Sequence, residues 1–331
     1  MKKTVLIICL FMLAVSSCRE TAGQGDSFRA FPRVQVPSVY REPDEIADYA
    51  LEHWWDAYFE GYGVTDSAAI LGVRRGEVEQ ALSDYLGILE RRPVPAAQGY
   101  VGSLFSQIEK CQEKHPQDSL LYLRFTELVA DYLYDPNSPL RSEDLFLPFV
   151  RGLAASTWTR EDMRPGYEYQ ARMCALNQYG QLAPDFSFMD ADGAVGHLYG
   201  LKGDNVLMFF SNPGCEACRE IVEELDASPW LHGMIDSGCL TVLDIYIDGE
   251  LQKWRESVSG YPDDWIVAYD NRSVIRNEQI YDVRAIPSLY VLDGQKRIML
   301  KDAPVGKVLA YLNETNNQYH GNDQQKTLGQ N

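Results

Sequence analysis

The chain has 331 residues, is 45% hydrophobic, and carries 48 acidic against 30 basic side chains, a net charge of −18. Length and apolar content suffice for two domains with cores of their own. The negative balance argues against nucleic acid and anionic membrane surfaces as partners, and seven cysteines are too few for a disulfide framework over this length.

Residues 1–17 open with Lys2 and Lys3 and continue as an apolar run from Val5 to Val15. The run is too short to span a bilayer and reads as an export signal. It ends in Val15-Ser16-Ser17-Cys18, which resembles a bacterial lipoprotein cleavage box. The resemblance implies that Cys18 becomes an acylated N-terminus. The protein would then be lipid-anchored in the cell envelope, at the outer membrane, facing the periplasm. An ordinary signal peptide or an uncleaved anchor is the alternative. Several acyl chains on one residue hold a protein firmly at a membrane. Residues 18–37 are polar with scattered prolines, which predicts a tether whose end packs on the next domain.

From Asp44 the period turns helical. Ile46, Ala50, Trp54 and Tyr58, with Ala47, Leu51, Trp55 and Phe59, form two adjacent stripes at a spacing of four. Further stripes run through Val78–Leu89, Val101–Ile108, Leu121–Tyr132, Phe146–Leu153 and Tyr167–Leu176. Pro93, Pro95, Pro116, Pro136, Pro139 and Pro165 fall between helices or at their starts. This predicts an all-helical domain over residues 38–178. Its aromatic stripe at Trp54 and Trp55 is explained by helical packing alone.

Asn177 to Pro184 reads as a link to a second domain, residues 180–316. A hairpin is expected around Asp190 to Gly193. Val206 to Phe210 is a short apolar run with the character of a buried strand. Ser211-Asn212-Pro213-Gly214 turns the chain, and an amphipathic helix begins with Cys215-Glu216-Ala217-Cys218. Unpaired N–H groups and the positive dipole end of a helix favour thiolate over thiol. Cys215 is therefore the expected attacking sulfur. Cys218, one turn deeper, is placed to resolve a mixed disulfide held on Cys215. Downstream, a strand is expected over Leu240–Ile247, a helix near Leu251–Val258 and a strand over Trp265–Tyr269. The Ile286-Pro287 loop follows, then two strands flanking Asp293-Gly294 and a helix over Val305–Leu312. Alternating strands and helices predict a mixed sheet with helices on both faces. Residues 317–331 are polar and expected to form a disordered tail.

The CxxC at a strand-to-helix junction, followed at this spacing by Ile286-Pro287, resembles the thioredoxin superfamily, in its periplasmic TlpA/ResA-like branch. Ala183-Pro184-Asp185-Phe186-Ser187-Phe188 opens as that branch does. The resemblance covers about Ala183 to Leu312. It implies an α/β fold, a thioredoxin-like mixed sheet with flanking helices behind the all-α domain. It also implies a cis Pro287 beside the cysteines, with the Ile286 backbone as the place where substrate chains pair. Tyr49-Ala50-Leu51-Glu52-His53-Trp54-Trp55-Asp56 resembles a helical domain of unknown function that precedes such modules in lipoproteins of Gram-negative anaerobes.

Three departures bear on the chemistry. Gly214 stands where the family carries tryptophan. Phe209 stands where thioredoxin has its buried aspartate, and Ile221 where the ResA type has a buried glutamate. The proton acceptor for Cys218 is thus unassigned, with Glu216 and Glu220 as candidates that also read as solvated helix charges.

A zinc site would need a second ligand pair. No second CxxC exists, and His53, His115, His197, His232 and His320 are scattered, so neither metal nor cofactor is expected. The peroxiredoxins, which resemble this opening and fold, carry a threonine or serine three residues before the reactive cysteine and a proline seven before. Cys215 has Asn212 and Met208 there, and Cys218 has Cys215 and Ser211. An inert disulfide is disfavoured because adjacent-turn cysteines at a helix start form a small, accessible, reducible ring. Cys111, Cys174 and Cys239 read as core thiols. The expected function is a membrane-tethered thiol-disulfide oxidoreductase, a reductase or isomerase. Its partners would be disulfide-bonded or thiol-containing envelope proteins and a membrane electron donor. In the competing reading the helical domain is a binding module and the CxxC is secondary.

Overall fold

A computed structural model describes residues 28–328. The helical unit runs through α1 (Pro43–His53), α2 (Asp56–Glu60), the hairpin strands β1 (Ala69–Ile70) and β2 (Val73–Arg74), α3 (Arg75–Leu89), α4 (Val94–Lys114), α5 (Leu121–Leu133), α6 (Glu143–Ala155) and α7 (Arg164–Cys174). Prolines open α1, α4 and α7, where the missing N–H leaves no bond unmade. Ser142 caps α6 by accepting from the Leu145 amide at 3.3 Å. The stripes read from sequence converge on one core that includes Trp55, Tyr58, Tyr85, Phe125, Phe146 and Phe149.

The structure adds the β1–β2 hairpin, closed by Leu71-Gly72 with both residues at positive φ, +51° and +75°. A two-residue loop of this kind matches the twist of the flanking strands. Cα of Gly63 lies 3.0 Å from where a Cβ on Gly72 would stand, so conformation and close approach both disfavour a side chain there.

The described part of the expected tether, 18–37, packs on the helical unit. Arg29 pairs its amide with the Gly72 carbonyl at 2.8 Å and sends its guanidinium to the carbonyls of Leu71 and Tyr58. Phe31 stacks on Tyr58 and meets Trp55 edge-on. One cation and one aromatic ring suffice to dock a segment whose overall composition is polar.

The second unit contains β3 (Ser187–Asp190), β4 (Val195–His197), β5 (Asn205–Phe210), α8 (Glu216–Asp226), α9 (Pro229–Asp236), β6 (Leu240–Tyr246), α10 (Leu251–Ser257), β7 (Ile266–Tyr269), α11 (Val274–Asn277), β8 (Ser288–Asp293), β9 (Ile298–Leu300) and α12 (Val305–Leu328). Its seven strands lie in the order β4-β3-β7-β6-β5-β8-β9. β5, β6 and β7 run parallel, and the other pairs are antiparallel. The chain therefore folds as the expected mixed α/β unit behind a helical unit. The side chains of β5 alternate. Leu207 and Phe209 enter a core shared with α8, α9, α10 and α12, whereas Val206, Met208 and Phe210 enter a second core on the other face. That second face is closed by Phe186, Phe188 and Tyr281 with little helix beyond α11. α12 continues its backbone to Leu328, so the described part of the segment expected to be a disordered tail is helical. No proline follows Pro304 to stop it.

The link is also ordered. Gly180 donates to Ile298 at 2.7 Å, Ile298 donates back to Gln181 at 2.9 Å, and Ala183 donates to Lys296 at 2.9 Å. The Asn177 side chain donates to the Ile280 carbonyl at 2.9 Å.

Candidate functional site

β5 delivers the chain to the site. It is buried along its whole length between β6 and β8, so Ser211 emerges at a fixed point. The loop after it is tied on both sides. Ser211 Oγ shares a hydrogen bond with the Tyr261 hydroxyl at 2.7 Å, and Asn212 Nδ2 donates to Asp248 at 3.0 Å. Gly214 turns the corner at φ +77°, a conformation that glycine adopts more readily than any residue with a side chain.

Cys215 is the N-cap of α8, with extended φ and ψ of −77° and 111°. Its Sγ accepts from the Cys218 amide at 3.1 Å. A sulfur in this place satisfies one of the orphan N–H groups of the first turn, and the same donor stabilises negative charge on it. The two cysteines are joined as a disulfide with their Cα atoms 5.2 Å apart. Cys215 is half-buried, whereas Cys218 is 2% exposed. Cys218, Val222 and Leu225 form the buried stripe of α8.

The acidic residues proposed from sequence as proton acceptors lie on the opposite stripe. Glu216 is exposed and paired with Arg219, which holds its carboxyl below the usual range first through a hydrogen bond and then through charge. Glu220 is exposed as well. Neither faces the buried Cys218.

Asp244 occupies the place that sequence reasoning missed. It lies in the middle of β6, directly across from Phe209 on β5, and is 0% exposed. Val242 and Tyr246, which share its side of the strand, belong to the core that contains Cys218. Neither carboxyl oxygen has a hydrogen-bond partner among the described residues. Ser211 is near enough to draw the pKa down, while its Oγ also shares a hydrogen bond with the Tyr261 hydroxyl. Burial dominates and pushes the Asp244 carboxyl up to about 8. The only outward signal was an acid inside the apolar run Leu240-Thr241-Val242-Leu243-Asp244-Ile245-Tyr246.

The Ile286-Pro287 peptide is cis. Ser288 begins β8 opposite Phe210, so the end of the Ile286-Pro287 loop lies beside the start of the Cys215 loop. Cys215 and Ile286 pack against the same core. The sequence-predicted residues Cys215, Cys218, Ile286 and Pro287 thus converge at one end of the β5–β8 pair. Cys18 lies outside the described residues. Cys111 and Cys174 are buried free thiols on α4 and α7, both pushed up chiefly by burial, and Cys239 is a half-buried free thiol.

Comparison with known proteins gives the following. Residues 14–174 match the family described as "Domain of unknown function (DUF5106)". No curated protein matches the chain. The crystal structure of a thioredoxin-like protein from Bacteroides caccae is 33% identical, covering 86% of this chain and 99% of that one, with a TM-score of 0.72. The C-terminal domain of an uncharacterized protein from Bacteroides fragilis is 42% identical over 41% of this chain and 97% of its own, with a TM-score of 0.40. A domain of a possible thiol-disulfide isomerase from Cytophaga hutchinsonii is 20% identical over 44% of this chain and 99% of its own, with a TM-score of 0.37.

Proposed function

Since the chain belongs to the family of thioredoxin-like proteins, we propose that it is a thiol-disulfide oxidoreductase, a reductase or isomerase of envelope protein disulfides that works through Cys215 and Cys218. The observation that carries this reading is the asymmetry of the pair. Cys215 is half-buried and receives an N–H at the start of α8, and Cys218 is buried on the same side of the sheet as the buried Asp244 carboxyl.

The reaction runs in two exchanges. In the reduced protein the Cys215 thiolate attacks one sulfur of a substrate disulfide. A Cys215–substrate bond forms, the substrate bond breaks, and the departing thiolate takes a proton. Asp244 then accepts the proton of the Cys218 thiol, directly or across one water. The Cys218 thiolate attacks Sγ of Cys215, and the second substrate sulfur leaves as a thiolate that takes the proton held by Asp244. The substrate has gained two electrons and two protons, and the protein holds the Cys215–Cys218 disulfide. An external dithiol donor returns it to the reduced state. The backbone at Ile286 and the ring of Pro287 are the surface against which the substrate chain lies.

Insulin reduction in the presence of a thiol donor tests the proposal. The unmutated protein should accelerate precipitation of the insulin B chain, and a folded protein that leaves insulin intact would overturn the reading. A glutathione titration tests direction. No cation lies between the cysteines, and Arg219 is engaged by Glu216 and Glu223, so neither adds to what the helix start supplies to the thiolate. The potential should fall nearer ~−270 mV than the ~−120 mV of strong oxidants. A value above roughly −150 mV would exclude a reductant or isomerase on this scale.

The anchoring proposal rests on the sequence around Cys18. Cys18→Ala should shift the protein from the membrane to the soluble fraction or stall removal of the leader. Unaltered fractionation and N-terminal processing would refute it.

A further inference from the structure

A buried charge cluster joins the helical unit to the loop that carries Ile286-Pro287. Glu143, the first residue of α6, is 2% exposed. Its Oε1 accepts from Arg284 Nε at 2.6 Å, and its Oε2 faces Lys301 Nζ at 2.5 Å. Lys301 is 0% exposed at its side chain and donates to the Leu176 carbonyl at 2.6 Å. Arg284 also donates to the Tyr134 carbonyl at 2.8 Å, and its guanidinium lies 3.9 Å from the centre of the Tyr134 ring. On the other side of the proline, Ser288 Oγ donates to Asp302 Oδ1 at 2.8 Å. Arg141 Nε in turn donates to the Asp302 carbonyl at 3.0 Å.

Arg141, Ser142 and Glu143 are consecutive. One turn of the helical unit therefore holds Arg284, just before Ile286-Pro287, and, through Asp302, Ser288 just after it. An apolar interface would join two units as firmly with less desolvation. Directional, charge-assisted bonds fix position as well as contact. Here they are spent on the residues that flank the Ile286-Pro287 loop.

We propose that the Arg141–Glu143 turn is a positioning element for the Arg284–Ser288 loop, so that the helical unit sets how protein substrates fit beside Cys215. This rests on the oxidoreductase reading above. Glu143 and Arg284 touch neither substrate nor sulfur, and act by placing the loop against which the substrate chain lies.

The test uses the full chain with Glu143→Gln and, separately, Arg284→Lys, and two substrates. Insulin requires pairing with the loop, whereas a small aromatic disulfide requires only an accessible Cys215. Each variant should raise KM for insulin on the order of tenfold or more, the scale expected of small misplacements near a site. kcat for insulin and the rate with the small disulfide should stay unchanged. Unchanged KM in a folded variant would overturn the proposal. So would a proportional loss with both substrates, or failure of both variants to fold, since either marks a merely structural cluster. If the unmutated protein reduces neither substrate, the oxidoreductase reading itself fails and this proposal falls with it.

Discussion

Cys218→Ser should hold substrate proteins in covalent complexes that dissolve when a thiol reductant is added, and Cys215→Ser should hold few or none. The expectation follows from the difference in access. Attack on a disulfide leaves a mixed disulfide on the attacking sulfur. Cys215 is half-buried at the head of α8 with the Cys218 amide donating to it at 3.1 Å. It can be approached by a partner chain, and the donated N–H favours negative charge on its sulfur. Cys218 is 2% exposed and meets only a sulfur already bound to Cys215. Both variants should lose roughly 10³-fold or more of their turnover, as expected when one member of a concerted pair is removed. Non-reducing electrophoresis reads the complexes directly and also identifies the partners. Capture by Cys215→Ser alone would reverse the roles.

Asp244→Asn should slow release of the mixed disulfide by roughly 10²-fold or more, the scale of a lost general base, while the first attack by Cys215 proceeds at its normal rate. In the unmutated protein the release step should speed up as pH rises toward about 8, where the Asp244 carboxyl ionises, and the variant should lose that rise. Stability moves the other way. The folded protein keeps the Asp244 proton up to about 8, while the unfolded chain releases it near 3.9. Between those values the folded state binds more protons, so its stability is greatest at the acid end of the window and declines as pH rises through it. Asp244 alone contributes a slope approaching ~1.4 kcal/mol per pH unit. Asp282, pushed up to about 7 by burial first and Glu143 second, adds in the same direction. Asp244→Asn should flatten its share of the decline. Denaturant unfolding at several pH values would show it, and an unaltered pH profile would remove Asp244 from the account.

The cysteine pair and Ile286-Pro287 were legible because their signals are local. An apolar strand, a Pro-Gly turn and an amphipathic helix lie within one short stretch, and the later loop is marked by its own dipeptide. Asp244 was not legible as a site residue, for a reason of register. The resemblance places a buried acid at Phe209 or Ile221, and the nearby acids Glu216 and Glu220 are the candidates the sequence offers instead. The chain supplies its buried acid from the neighbouring strand at the position paired with Phe209. Sequence order does not reveal which residues face each other across a parallel ladder. α9 and α11 are too short to show a stripe, although Pro229 marks the start of α9. The charge cluster between the units was invisible for the same reason as Asp244. Glu143, Arg284 and Lys301 are far apart in the chain, and each taken alone reads as an ordinary surface charge.

The stretch Gly180 to Ala183 is a connector by position in the chain, but it behaves as a seam. It hydrogen-bonds to Lys296 and to Ile298, the first residue of β9, the last strand on that side of the sheet, and so occupies backbone groups at that margin that would otherwise be open to a strand from another molecule. The opposite margin, β4, is only three residues long and offers little template. Cutting the chain here would therefore do more than separate two halves. It would bare a pairing edge on the thioredoxin-like unit and take from Lys301 the carbonyl of Leu176. A fragment trimmed past Ala183 should self-associate more than the intact chain, and proteases should find this joint harder to open than its place between two units suggests.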